Sequence, residues 1–445
     1  MRIAHISPHI GGGVGSVLLD FFSLSKNFGI VNDLFCLDRC KTNFEELTGV
    51  NIRLDGLAYD SDPVFFDILS SCDIVLVHYW NHPLMARFLF GAHLPPCRLL
   101  VWSHNSGLYE PHIIPTYIAR MAQKLLFSSR CSIHAPNLEL KNQDEMNRFG
   151  VVHSTRSLEV FNGISYSQNS KQHTGKILLY VGTVSKAKMH AESAKIFSEL
   201  SRLGYTIRIV GGPEHQALKA EVAMLGGSVE VFGPVTDVVE FYKDADVFIY
   251  PLSAEHYGTG EQVILEAMAA GLPVVAFNNP SEEAILYDGG GVLVSTSDQF
   301  VVKVTELLNN LDYQRQLSKV ASMRISNDFD VNIMTEKMIQ YFVELIDVEK
   351  IAHIMPTSEN GSVNELALYA LNSFFDESLF DEIIKNPECA VDIVYKKIEA
   401  DICKSSDMSR WLCDTKSSPF HYYSYYPESK DLAQLTDKLL HIDIC

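Results

Sequence analysis

The chain has 445 residues, of which 47% are apolar and 20% charged, and a formal net charge of −19. That balance describes a folded protein with two or three domain-sized cores, on the usual scale of about 100–200 residues per domain. It argues against disorder over most of the chain, and against a large basic surface for nucleic acid; peripheral membrane contact would need a local basic patch.

Residues 2–6 read as a strand that runs into SPHIGGGVGSVLLDFF, a Gly-rich turn followed by an amphipathic helix starting near Val14 or Gly15. Gly11, Gly12 and Gly13 let backbone approach a ligand, and the unpaired N–H groups of a helix start attract an anion. No Gly-Lys-Ser/Thr follows, and glycines at 11, 12, 13 and 15 depart from GxGxxG, so neither the P-loop nor the dinucleotide fingerprint applies. The turn either holds phosphate or only makes a tight connection. Short apolar runs at 34–37, 74–77 and 99–102 read as further strands, each leading into a polar loop. His78 with Tyr79 and Trp80, and His104 with Asn105 and Ser106, stand at two such strand ends, where open parallel sheets bind ligands. A lone histidine is ordinarily structural; two at equivalent strand ends point to a polar site.

Residues 131–165 add another α/β turn closed by FNGI, and the polar stretch SYSQNSKQHTG at 165–175 reads as the linker. A second alternation then begins. Strands are expected at 177–181, 206–210, 229–232, 247–250, 274–277 and 291–294, with helices at 190–203, 238–243, 261–270, 299–311 and 331–346. Lys186 and Lys188 follow the first of these strands, where an ammonium balances a phosphate or simply meets solvent. Around 261–270, Thr259 is the expected N-cap and Gly271 the left-handed C-cap. Glu266, mid-helix beside Ala267-Met268-Ala269-Ala270, is either a surface group or an acceptor facing a ligand.

Beyond Glu349 the pattern becomes helical, with an aromatic-dense stretch, FHYYSYYPESK, at 420–430. Its Tyr422, Tyr423, Tyr425 and Tyr426 stack sugars, cover a partner surface or pack onto the main body. The nine cysteines show no CxxC pairs and read as reduced, mostly buried thiols rather than a zinc site. With no basic-plus-apolar leader and no 18-residue apolar run, the expected address is the cytoplasm, without a transmembrane segment.

The segments KILLYVGTVSKAK, IRIVGG, VEVFGPVTDVVEFYKDADVFIYPLSAE and VILEAMAAGLPVVA, with IGGGVGSVLLDF, DIVLVHYW, WSHNSG and FNGI before them, resemble the GT-B glycosyltransferases. The likeness is greatest to family 4 of retaining, nucleotide-sugar-dependent enzymes, and it covers about residues 1–345. It implies an α/β fold of two tandem Rossmann-like domains. Their expected bounds are 1–165 for an acceptor-side domain and 176–345 for a nucleotide-sugar domain, with a mainly helical extension at 350–445.

It also implies roles. Glu266 matches the glutamate that accepts from the ribose hydroxyls, Lys188 the lysine that neutralises the diphosphate, and Lys186 lies in the same loop. Gly12 and Gly13 match the loop beside diphosphate and sugar, His104 a histidine near the donor sugar, and Gly233 and Pro234 the backbone at the nucleobase. The donor would be a nucleoside diphosphate sugar and the acceptor a sugar or glycoconjugate. No metal or other cofactor is implied, and no protein nucleophile; closure over the linker would exclude water.

This sequence departs from the family pattern in three ways. Gly258 stands eight residues before Glu266 where the family has its first glutamate, so either Glu255 keeps the sugar-facing role, the preferred assignment, or Glu261 takes it. Thr183 replaces the usual diphosphate-binding arginine. The stretch at 350–445 lies outside the family core, and a protein partner there is one expectation.

Overall fold

The computed structural model describes residues 1–39, 50–55, 63–91, 93–138, 146–164, 177–353, 364–405, 408–412 and 416–442. The expected linker at 165–175 lies outside them. The chain divides into two compact units, the first made of Met1–Val152 and Thr335–Cys445 and the second of His153–Met334.

In the first unit, strands β1 (Arg2–Ser7), β2 (Val31–Cys36), β3 (Val50–Asp55), β4 (Ile74–Tyr79), β6 (Leu99–Ser103), β7 (Lys124–Phe127) and β8 (Phe149–Val151) form a parallel sheet in the order β3-β2-β1-β4-β6-β7-β8. The short β5 (Leu94–Cys97) pairs antiparallel with β15 (Ile351–His353). The central strands carry apolar side chains on both faces: Ile3, Ala4, Ile6, Ile74, Val75, Leu76 and Val77 are all fully buried, as a sheet covered on both sides requires. Strand order reverses between β1 and β4, so the loops after these strands flank the crevice where such sheets take ligands.

The expected helical extension is present as helices Glu365–Ser373, Ser378–Lys385, Ala390–Ser405, Ser409–Leu412, Pro419–Tyr425 and Lys430–Leu440. It does not stand apart. Leu366, Tyr369, Trp411, Tyr422 and Leu435 share one apolar core with Val75, Leu84, Phe88 and Val101 of the first sheet and its helices. Of the tyrosine cluster, Tyr422 is fully buried and Tyr426 nearly so, while Tyr425 donates to Asp38 at 2.7 Å. Packing onto the main body is therefore what Tyr422 and Tyr426 do.

In the second unit, β9 (Ile177–Val181), β10 (Thr206–Val210), β11 (Glu230–Gly233), β12 (Val247–Tyr250), β13 (Val274–Phe277) and β14 (Val292–Val294) form a parallel sheet in the order β11-β10-β9-β12-β13-β14. Its reversal lies between β9 and β12. The helix Gln262–Ala270 follows β12 and ends at Gly271 (φ 84°), a left-handed position that glycine takes without a Cβ penalty. No helix among the described residues is long and apolar enough to cross a membrane.

Three sequence expectations need correction. The first helix starts at Gly12 rather than at 14 or 15, so Gly12 and Gly13 supply N–H groups of its unpaired first turn. The helix expected to start at Glu261 under a Thr259 cap starts at Gln262 with Glu261 in the cap position and no side-chain cap bond, because the Glu261 carboxylate is engaged elsewhere. The helix expected over 299–311 spans Ser297–Leu308, and a further helix, Leu311–Asp328, follows it.

Candidate active site

In the second unit the two loops at the strand reversal meet. After β9 the chain turns through Gly182 to Lys188, and after β12 through Pro251 to Glu261. They are laced by backbone bonds, His190 N–H to Pro251 C=O and Ser253 N–H to Lys188 C=O, both 2.9 Å. This carries Lys188 to Glu261, with Nζ 3.0 Å from Oε2 and both side chains about 90% or more buried. The Tyr250 hydroxyl, at the end of β12, donates to the same oxygen at 2.5 Å. Burial works against both charges. The Lys188 ammonium is nevertheless held above its ordinary value by Glu261, and the Glu261 carboxyl is held below its own by Lys188. Tyr250 and Tyr257 place ring faces 5.8 and 5.7 Å from the ammonium.

Gly258 makes the arrangement possible: a Cβ there would lie 1.6 Å from Glu261 Oε1. Behind the pair, His256 accepts from Gly258 N–H at Nδ1 (3.0 Å) and places Nε2 2.9 Å from the fully buried Glu282 and 3.0 Å from Ser281 Oγ.

Glu266, one turn further along the helix, makes a separate group. Its Oε1 lies 2.9 Å from an Arg156 guanidinium nitrogen, and its Oε2 accepts from Tyr242 OH at 2.9 Å. It is buried, not a surface group, and burial raises its carboxyl above the ordinary value even against Arg156 and Tyr242.

The remaining second-unit candidates are dispersed. Glu255 is half-buried in the loop ahead of this group. Lys186 is largely exposed, with Nζ 3.5 Å from Glu221 and its backbone N–H on Glu214. Gly233, at φ 63°, accepts from Gly211 N–H and lies with Pro234 beside His215 and Gly212. Thr183 accepts at its carbonyl from Tyr180 OH, 2.7 Å away.

In the first unit, Gly12 and Gly13 are exposed at the helix start after β1. His104 follows β6, and its Nε2 lies 3.2 Å from His78 Nδ1; His78 Nε2 lies 3.1 Å from Nδ1 of the buried His5 on β1. Asn105 is structural. It accepts from Ser103 Oγ at 2.6 Å and donates to the carbonyls of His112 and Ile113.

Sequence reasoning missed Arg156, Tyr242, Tyr250, His256, Glu282, His5 and Asn32. Tyr250 had a usable signal, a polar-tipped residue closing a buried strand beside a glutamate-bearing loop. Arg156 and Asn32 had none.

Residues 165–323 match the family model described as Glycosyl transferases group 1. The chain is 24% identical over 171 residues to the Staphylococcus aureus capsular polysaccharide biosynthesis glycosyltransferase CapM, over 36% of this chain and 44% of CapM. An uncharacterized Haemophilus influenzae glycosyltransferase is 27% identical over 171 residues, 36% of this chain and 47% of its own. The match thus spans less than half the length of these relatives.

Two solved structures share the fold. One is a glycosyltransferase from Rickettsia africae (TM-score 0.60, 15% identity, covering 78% of this chain and 99% of that one). The other is Anabaena Alr3699/HepE in complex with UDP and glucose (0.59, 16%, 77% and 100%). The fold is therefore that of the GT-B glycosyltransferases, two Rossmann-like halves, here with a helical C-terminal region.

Proposed function

We propose that this protein is a retaining glycosyltransferase that moves a sugar from a nucleoside diphosphate sugar to an acceptor hydroxyl in polysaccharide or glycoconjugate synthesis. The observation that carries the reading is Lys188, a buried ammonium at the strand reversal of the very segment that matches the glycosyltransferase family. The reaction expels a diphosphate, and the main task is to stabilise the charge that develops there. Lys188 serves that, aided by the N-terminal end of the helix Gln262–Ala270. Glu266 accepts from the ribose hydroxyls, for which a carboxylate has acceptor capacity beyond its bonds to Arg156 and Tyr242. The Lys188 contact supports Glu261 at the diphosphate end, leaving Glu255 as the carboxylate proposed to face the sugar.

Lys186, Gly233 and Pro234 complete the proposed nucleotide contacts, and Gly12, Gly13 and His104 the proposed contacts of the first unit. The acceptor attacks from the side the phosphate leaves, so no protein nucleophile enters, and the reading includes no metal ion. A cytoplasmic location, peripheral membrane contact and a protein partner through 350–445 belong to the same proposal.

A second reading is a catalytically weakened GT-B protein that acts as a binding partner. It is favoured by Thr183 and by the fact that Lys188 and Glu266 already hold partners of their own. A thermal-shift panel of nucleotides and nucleotide sugars, starting with UDP-glucose, followed by transfer and hydrolysis assays on each hit, separates the two. Binding with turnover, the turnover being lost in a Lys188→Ala protein that is still folded, supports the enzyme; binding without turnover supports the partner. Equal, full activity in Glu255→Gln and Glu261→Gln would mean that neither carboxylate faces the donor.

A further inference from the structure

Three imidazoles, two on the adjacent strands β1 and β4 and the third just past the end of β6, make one hydrogen-bonded chain across the first sheet. It runs from Asn32 Oδ1 to His5 Nε2 (2.9 Å), from His5 Nδ1 to His78 Nε2 (3.1 Å), and from His78 Nδ1 to His104 Nε2 (3.2 Å). The ring planes of successive histidines lie within 8° and 20° of parallel. His5, His78 and Asn32 are fully buried, and burial keeps all three imidazoles neutral, the His104 value being pushed down to about 3.

A neutral imidazole has one N–H and one lone pair, so each link dictates the next. Asn32 decides the direction. Its Nδ2 donates to Ser25 Oγ at 3.0 Å, and that hydroxyl has the Phe22 carbonyl 3.5 Å away to donate to, which turns Oδ1 toward His5. His5 then donates from Nε2 and accepts at Nδ1, His78 does the same, and His104 donates from Nε2. The chain ends on His104 Nδ1, which is buried and has no hydrogen-bond partner. The opposite order would leave an N–H there with no acceptor, and orphaned buried donors are the rarer case.

We infer that Asn32, His5 and His78 are positioning residues that hold His104 in its Nε2–H tautomer, so that Nδ1 stands as an acceptor for a hydroxyl of a bound sugar. A hydroxyl reaches Nδ1 only after local side-chain movement. This use of the lone pair rests on the glycosyltransferase reading; the proton order itself does not.

The test is long-range 1H–15N correlation on the full chain labelled with [15N]histidine, with His104 assigned from the spectrum of His104→Gln. The expected wild-type result is a pyridine-type Nδ1 and a pyrrole-type Nε2 on His104. In His78→Phe the chain is cut, and the His104 signals should move toward a tautomer average while kcat/KM for transfer falls roughly tenfold, the worth of one ordinary hydrogen bond. Asn32→Leu gives the same readout should His78→Phe not fold. A pyrrole-type Nδ1 in the wild type overturns the inference, as does a His104 signal unchanged in the folded variant. Proton order as expected in a protein that transfers no sugar would sink the glycosyltransferase reading and leave the relay standing. Transfer with a pyrrole-type Nδ1 would do the reverse.

Discussion

The two strand reversals of this chain are built on opposite electrostatics. At the first, between β1 and β4, the buried polar groups are neutral imidazoles whose order is set by hydrogen bonds. At the second, between β9 and β12, they are full charges, Lys188 against Glu261. The same topological position thus holds either a directional acceptor or a stored ammonium. The difference teaches that the fold supplies the place while the strand-end residues choose the chemistry.

The largest effect is expected at the charged reversal. Lys188→Ala leaves Glu261 buried without its counter-ion and should destabilise the protein by ~3–5 kcal/mol, read as a lower unfolding midpoint in urea. The double variant Lys188→Met/Glu261→Gln, which removes both charges, should recover most of that loss. A double variant no more stable than the single one would mean that the pair is not the source of the cost.

Acid should break the other reversal first. Unfolded, an imidazole takes up a proton near 6.5; in the folded chain burial holds His5 off until about 4. Between those values the unfolded chain binds more protons, so stability is lost as pH falls from 6.5 toward 4, by on the order of 3 kcal/mol for His5. The Glu261 carboxyl is held below 4.5, so its contribution persists through that window, and the half-buried His190 is the second unit's smaller counterpart to His5. Hydrogen exchange at about pH 5, corrected for intrinsic rates, should therefore show peptides of β1 and β4 losing protection before those of β9 and β12.

A smaller effect is expected at Glu266. Arg156→Ala removes one of its two partners, and because burial already raises this carboxyl, protonation limits the cost to ~1–3 kcal/mol in a thermal or urea melt. Smallest of all, Lys186→Ala should change stability by less than about 0.5 kcal/mol, since its ion pair with Glu221 is exposed.

Much of the fold was legible. The strands at 177–181, 206–210, 247–250 and 274–277 fall where their apolar runs lie, because Gly, Pro and polar loops punctuate them sharply. The helix Leu311–Asp328 was not, since its buried stripe of Leu317, Ala321 and Ile325 is narrow and the rest of it is polar. The short helix Pro419–Tyr425 hides behind aromatic density without period, although Ser418 accepting from His421 N–H ahead of Pro419 is a readable start. Lys188, Glu261 and Glu266 were singled out in the sequence by their loops and by family resemblance, but what each carboxylate touches could not be read there. Arg156 and Tyr242 reach Glu266 from distant parts of the sequence, and nothing local in either residue announces it.

One feature of the fold bears on how the molecule is made. The first sheet's core is finished by helices that come after residue 364, while the second unit occupies the uninterrupted stretch His153–Met334. On the ribosome, at about 5–20 residues per second, that stretch takes roughly 10–40 s to emerge. Through all of it the apolar face that Tyr422 and Leu435 will cover lies open. The second unit can close on itself as soon as it clears the exit tunnel. The first must wait for the helices beyond residue 364, and it is the half that a holding chaperone would serve.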